Sequence, residues 1–124
     1  MTTKKDEKLV GKYNFLTHGL LCEVPVGWLD LVDQMSAEIQ EELDKSGIID
    51  YTVVQAKEKF GFLHWYDFNG NSRINEIIGK YEELSKNTCC QCGKPATKIS
   101  LGWICPWCDE CAEKIGGKFK EVDK

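Results

Sequence analysis

The sequence predicts an α+β fold: two amphipathic helices, a β-hairpin between them in the chain, and a small cysteine-rich lobe at the C-terminal end. Three observations carry this prediction. Apolar residues recur at three- and four-residue steps over 28–45 and again over 73–86. Between these segments lies a run rich in β-branched and aromatic residues, interrupted by Lys57-Glu58-Lys59-Phe60-Gly61. Six of the seven cysteines then fall between positions 89 and 111. The expected organisation is a frayed N-terminus over 1–12, an α+β body over 13–87, and a lobe over 88–124 packed rigidly on the body, because no linker separates them.

The cysteines carry the clearest chemistry. Cys89/Cys92 and Cys108/Cys111 are two Cys-x-x-Cys pairs with 15 residues between them. That spacing is expected of a four-cysteine zinc site. Two residues between ligands let a tight turn aim both sulfurs at one point, and Gly93 can adopt the positive φ that such a turn needs. Two turns supply four thiolates, which make a closed tetrahedral site of the structural kind, here for one Zn²⁺. Cys90 and Cys105 are further candidates, and Cys89/Cys92 with Cys105/Cys108 would also obey the two-residue rule. Cys105-Pro106-Trp107-Cys108 looks like the dithiol of glutaredoxins. That motif opens a helix after an early strand, and only 16 residues of this sequence follow Cys108. Reduced cysteines serving as small core residues are the plain alternative to a metal site.

The 124 residues suffice for one compact domain with a modest core. The charged first residues and the lack of a long apolar run predict a cytoplasmic chain with reduced thiols, where clustered cysteines favour metal over disulfides. Net charge is -4 but uneven. Residues 1–85 carry nine Lys/Arg and fifteen Asp/Glu, a balance of -6, whereas 86–124 carry seven Lys and five Asp/Glu, a balance of +2. Four thiolates around a divalent ion add -2 and bring the lobe near neutrality. This is not the basic footprint of a phosphate-gripping protein, and it suits a basic protein partner better.

Taken in order, residues 13–26 read as a short helix or irregular packed segment closed by Pro25 and Gly27. Trp28 to Lys45 is the strongest helix, with Trp28, Leu31, Val32, Met35, Ile39 and Leu43 on one face and Gly47 as its stop. Its acidic face, with Glu38, Glu41 and Glu42, is either solvated surface or a docking face. On the second strand, Leu63 and Trp65 point one way and Phe62, His64, Tyr66 and Phe68 the other. One face should meet the long helix. His64 is read as packed or hydrogen-bonded in preference to a ligand or base, and no Ser or Asp constellation surrounds it or His18. Asn71 or Ser72 should cap a second helix over 73–86, with a stripe of Ile74, Ile77, Ile78, Tyr81 and Leu84. Glu76–Lys80 and Glu82–Lys86 are expected charge pairs along it. Trp103, Trp107 and Phe119 are either wedges against the body or a contact surface.

Several stretches together resemble a known group. They are Gly27-Trp28 opening a helix, Val54-Gln55-Ala56-Lys57-Glu58-Lys59-Phe60-Gly61-Phe62-Leu63, Cys89-x-x-Cys92-Gly93-Lys94-Pro95, Gly102-Trp103-Ile104 and Cys108-Asp109-Glu110-Cys111-Ala112. The assembly is similar to small phage- and prophage-encoded proteins with a C-terminal zinc ribbon. Cys105 departs from their pattern. The chain is also similar, in size, acidity and zinc motif, to zinc-binding anti-CRISPR inhibitors of type II systems. The resemblance implies a non-enzymatic inhibitor, monomeric and in the host cytoplasm, that docks on the RNA-guided nuclease and blocks DNA binding or loading. Glu38, Glu41, Glu42, Trp65 and Trp107 are the candidate contact residues. The alternative is a phage regulator whose zinc ribbon binds nucleic acid, with Lys94, Lys98, Lys114, Lys118 and Lys120 on phosphates and Trp103 or Trp107 stacking a base.

Overall fold

The structure is a computed structural model and describes residues 4–102 and 104–121. It is α+β, as the hydrophobic periods predict. Helices α1 (Lys4–Lys12), α2 (Leu29–Ser46), α3 (Ser72–Ser85) and α4 (Asp109–Ile115) accompany two antiparallel sheets. The first sheet is the hairpin of β1 (Thr52–Lys59) and β2 (Phe62–Phe68). The second, in the C-terminal lobe, has the order β4 (Pro106–Trp107), β3 (Lys98–Ser100), β5 (Phe119–Glu121).

The N-terminal segment departs from the expected frayed end. Residues 4–12 form α1, which is tied to α2 by Leu9, buried in the core, and by two polar contacts. Lys12 Nζ lies 3.0 Å from Asp33 Oδ1, and the Tyr13 hydroxyl donates to the same carboxylate at 2.7 Å. One buried leucine in nine residues makes no stripe, so periodicity could not reveal this helix. The following segment is irregular and packed, with Phe15, Leu16, Leu21 and Val24 buried, and it ends in a 3₁₀ turn over Val26–Trp28.

Helix α2 buries Leu29, Val32, Met35, Ser36, Ile39 and Leu43, the stripe its 3.6-residue period dictates, while Leu31 is only half-buried. Gly47 terminates it in the left-handed region at φ 72°. The hairpin closes through Phe60-Gly61, with φ of 56° and 91°, so both central residues are left-handed as a type I′ turn requires. Leu63 and Trp65 are buried together with Val53 and Ala56 from β1. Their helical cover is α3 more than the long helix, because α3 runs along the free edge of β2. Ser85 Oγ accepts from Leu63 N–H at 2.8 Å and Glu82 Oε2 from Trp65 N–H at 3.1 Å. On the other side Glu58 N–H donates to Glu23 O at 3.3 Å.

Helix α3 is capped by Asn71, whose Oδ1 accepts from Ile74 N–H at 2.9 Å. Its expected charge pairs are replaced by others. Lys80 reaches across to Glu38 on α2 at 2.8 Å, Arg73 pairs with Glu76 and Lys86 with Glu83. Glu82 is turned inward onto the sheet edge. Leu84, expected in the stripe, is 46% exposed, and Ser85 is fully buried in its place.

The lobe is seated on the body by backbone-to-backbone contact at Gly27. Gly27 N–H donates to Cys90 O at 2.9 Å, and the buried indole of Trp28 donates to Thr88 O at 2.9 Å. A Cβ on Gly27 would lie 2.2 Å from Cys89 O and 2.6 Å from Cys90 C, both backbone atoms that cannot swing aside. Gly27→Ala is therefore expected to lower unfolding free energy by about 3 kcal/mol, near the severe end for a single substitution. Urea titration checks it. Unchanged stability would show that the lobe is not seated on this glycine.

Candidate metal centre

The first cysteine turn is built by its own backbone. Cys89 N–H donates to Lys94 O at 2.7 Å and Gly93 N–H to Cys89 O at 3.0 Å, with Gly93 at φ 85°. This folds Cys89 and Cys92 toward one point. The second pair lies where β4 runs into α4. Cys108 is the N-cap of that helix, and its Sγ accepts from Cys111 N–H at 3.4 Å.

The four sulfurs of Cys89, Cys92, Cys108 and Cys111 all lie within 4.8 Å of one another. Cys92 Sγ and Cys108 Sγ are 3.6 Å apart. A tetrahedron with metal–sulfur bonds of about 2.3 Å has sulfur–sulfur edges of about 3.8 Å. The four residues therefore fit a tetrahedral ion and could hold one. Cys89 is fully buried and Cys108 nearly so, while Cys92 is exposed, so the site sits at the surface with its inner wall against the lobe.

The electrostatics favour a cation. Burial pushes the Cys89 thiol up, but backbone N–H groups of Cys108, Cys92 and Gln91 outweigh it and hold this group at about 7. Cys111 moves the other way, up to about 12, through burial and the neighbouring sulfurs of Cys108, Cys92 and Cys89. Cys92 is also raised: the Lys94 backbone N–H favours its thiolate, but burial and the adjacent sulfurs of Cys108 and Cys89 prevail. One thiolate is stabilised by the fold, and further negative charge there requires a positive ion.

Cys90 and Cys105 do not join the four. Both are buried in the body's hydrophobic core, at 7% and 5% exposure. The Cys105 thiol beside Cys90, together with burial, pushes Cys90 well above the usual thiol range. Spacing left this choice open. Cys90 N–H donates to Pro106 O at 2.9 Å, which holds Cys90 beside the segment that carries Cys105.

The predicted contact residues do not form one surface. Trp65 is corrected outright: it is 6% exposed and its indole donates to the Tyr51 hydroxyl at 3.0 Å, so it is a core residue. Trp107 is half-buried against the core and meets Phe119 edge-on at 6.1 Å, the wedge arrangement. Glu38 is held by Lys80 and the Tyr81 hydroxyl, and Glu42 by Ser46 and Asn71, so both carboxylates join α2 to other groups of the body or to its own last turn. Glu41 is exposed. In the lobe, Lys94 pairs with Glu110 at 3.3 Å and Lys98 lies 3.9 Å from Asp109. Trp103 lies outside the described residues. Sequence reasoning missed the seating role of Gly27, although its place directly before a buried tryptophan was a signal of close backbone approach. No protein-family model, curated protein or solved structure matches the chain. Among the described residues no helix is long and apolar enough to cross a membrane.

Two outcomes are expected. Cys92→Ser should abolish stoichiometric metal binding, while Cys90→Ala and Cys105→Ala should retain it, by elemental analysis of purified protein. Metal affinity should also fall with pH. Cys92 and Cys111 both hold protons at neutral pH and must lose them on binding. Lowering pH refills these sites and competes with the metal. With at least two protons displaced, and a further one from Cys89 as pH falls through about 7, the association constant should drop about 100-fold or more per unit between pH 8 and 6, measured by chelator competition. A pH-independent constant would refute thiolate ligation by these residues.

Proposed function

We propose that the chain is a binding protein stabilised by one structural Zn²⁺, acting by contact and not by turnover, and that its partner is the RNA-guided nuclease of a type II CRISPR system. Zinc is the reading for four sulfurs in a closed tetrahedral set, since this donor geometry suits Zn²⁺ or an iron–sulfur centre and the chain supplies a single four-sulfur cluster among its described residues. The ion would hold the two cysteine turns together and thereby fix the lobe against the hairpin.

The observation that carries a contact function is Phe60. It is 71% exposed and occupies a left-handed position, φ 56°, that Asn or Gly fills at no steric cost. A bulky aromatic there opposes both folding stability and solubility, so its presence points to a use. Leu101 and Ile104 of the lobe are 51% and 45% exposed, and Ile104 lies against the tip, since a Cβ on Gly61 would meet Ile104 Cγ2 at 3.0 Å. Phe60 of the hairpin tip and Ile104 of the lobe thus share one apolar patch. The partner's identity rests on the resemblance to phage zinc-ribbon proteins and on the -6 balance of residues 1–85, which complements the positively charged channels of such nucleases.

Zinc-loaded protein in molar excess should reduce target cleavage by the purified nuclease–guide complex. Phe60→Gly relieves the left-handed strain, so it should keep or raise the melting temperature while weakening inhibition about tenfold or more. Undiminished cleavage at excess protein would refute the nuclease reading. Inhibition that survives Phe60→Gly would move the contact elsewhere.

A further inference from the structure

The outward face of the hairpin carries a second surface, distinct in chemistry from the apolar tip. Alternation along β2 sends Phe62, His64, Tyr66 and Phe68 to the side away from the buried Leu63 and Trp65. The first three rings form a row. Phe62 and His64 have centroids 4.3 Å apart at 33°, and His64 and Tyr66 6.3 Å apart at 22°. Tyr66 is 42% and Phe68 62% exposed. The His64 ring is anchored: its Nε2 lies 3.0 Å from Lys59 O, and because a carbonyl only accepts, Nε2 carries the donated hydrogen.

Lysines border the row. In the β1–β2 register Lys59 stands opposite Phe62 and Lys57 opposite His64, so both share the aromatic face. From α3, Lys86 Nζ lies 4.7 Å from the Phe62 ring centre. Glu121 lines the cleft beside Phe62 and Lys86, and other acidic side chains nearby are engaged or turned away. Glu83 pairs with Lys86 at 2.8 Å, and Glu58 accepts from Gly61 N–H at 2.9 Å. Asp67 stands opposite Val53, on the buried side of the strand pair.

We propose that this face binds single-stranded nucleic acid, with an unstacked base lying on the outer face of Tyr66, which His64 and Phe62 back from behind, and the backbone phosphates meeting Lys57 and Lys59. Phe62, His64 and Tyr66 cover one another's facing surfaces, so the open π-face is the outer one of Tyr66, 42% exposed at the end of the row, and adjoining lysines supply the counter-charge. Duplex presents its bases edge-on and cannot use such a row. The sequence-based alternative placed nucleic-acid binding on the lobe. There Trp107 is packed inward and Lys94 and Lys98 face carboxylates, so the hairpin carries the matching chemistry instead. This inference stands apart from the nuclease reading and survives or fails without it.

Single-stranded DNA and RNA share the stacking and phosphate chemistry, and the probes separate them. Fluorescence anisotropy of the zinc-loaded full chain would use labelled oligodeoxythymidine, labelled oligouridine and a labelled DNA duplex. Micromolar binding of at least one single strand is expected at about 50 mM salt, with the duplex at least about tenfold weaker. Two phosphate contacts predict a loss of about sevenfold between about 50 and 200 mM salt. Tyr66→Ala should weaken binding about tenfold. Tyr66→Phe, which keeps the ring, should retain it. A Lys57→Glu, Lys59→Glu double variant should abolish the salt dependence together with the affinity. These side chains are not core residues, so circular dichroism should be unchanged. Absence of binding to both single strands at low salt, equal binding of duplex, or full affinity in Tyr66→Ala would each overturn the proposal.

Discussion

The position of the C-terminal lobe rests on one close approach, the backbone of Gly27 against the Cys89–Cys90 peptide. Hydrogen bonds from Gly27 N–H to Cys90 O and from the Trp28 indole to Thr88 O fix the first cysteine turn to the start of α2. From there the order of assembly follows. The turn presents Cys89 and Cys92, the loop through β3 returns β4 alongside, and Cys108 and Cys111 complete the set of four. A lobe of this size has little apolar surface of its own to bury, so a metal and a firm seat are the two available sources of order. The chain has the residues for both.

Much of this was legible in the sequence, and the exceptions have physical reasons. The stripes of α2 and α3, the left-handed stop at Gly47 and the Asn71 cap follow from local chemistry, and all are present. The four clustered cysteines are the predicted four. What spacing could not decide was whether Cys105 competes with them, because that depends on which side chains the tertiary fold turns into the core. Trp65 shows the same limit from another side. Alternation correctly grouped it with Leu63, but both faces of β2 are apolar, so the covered one is chosen only when α3 docks. Glu82 looked like half of a helical charge pair and instead serves the sheet, a contact made between residues far apart in sequence.

The acidic side of the molecule illustrates how tertiary structure spends charge. Glu38 and Glu42, two of three carboxylates expected to meet a partner, bind groups of the chain itself. Lys80 and the Tyr81 hydroxyl hold the Glu38 carboxyl below its ordinary range. A balance of charge counted over a segment therefore overstates what is free for another molecule. The hairpin makes the converse point: its aromatic and basic face was hidden inside a chain of negative net charge.

The treatment of the hairpin's margins restricts how another molecule can join it. A two-stranded sheet ordinarily leaves two rows of amide groups open to strand addition from a second chain. Here a carboxylate and a hydroxyl already occupy amides of β2, and the loop at Glu23 meets β1. Recruitment by β-augmentation is thereby disfavoured, and polymerisation through the same route with it. Any ligand must come in broadside or head-on, which is where the sequence has left its unburied rings.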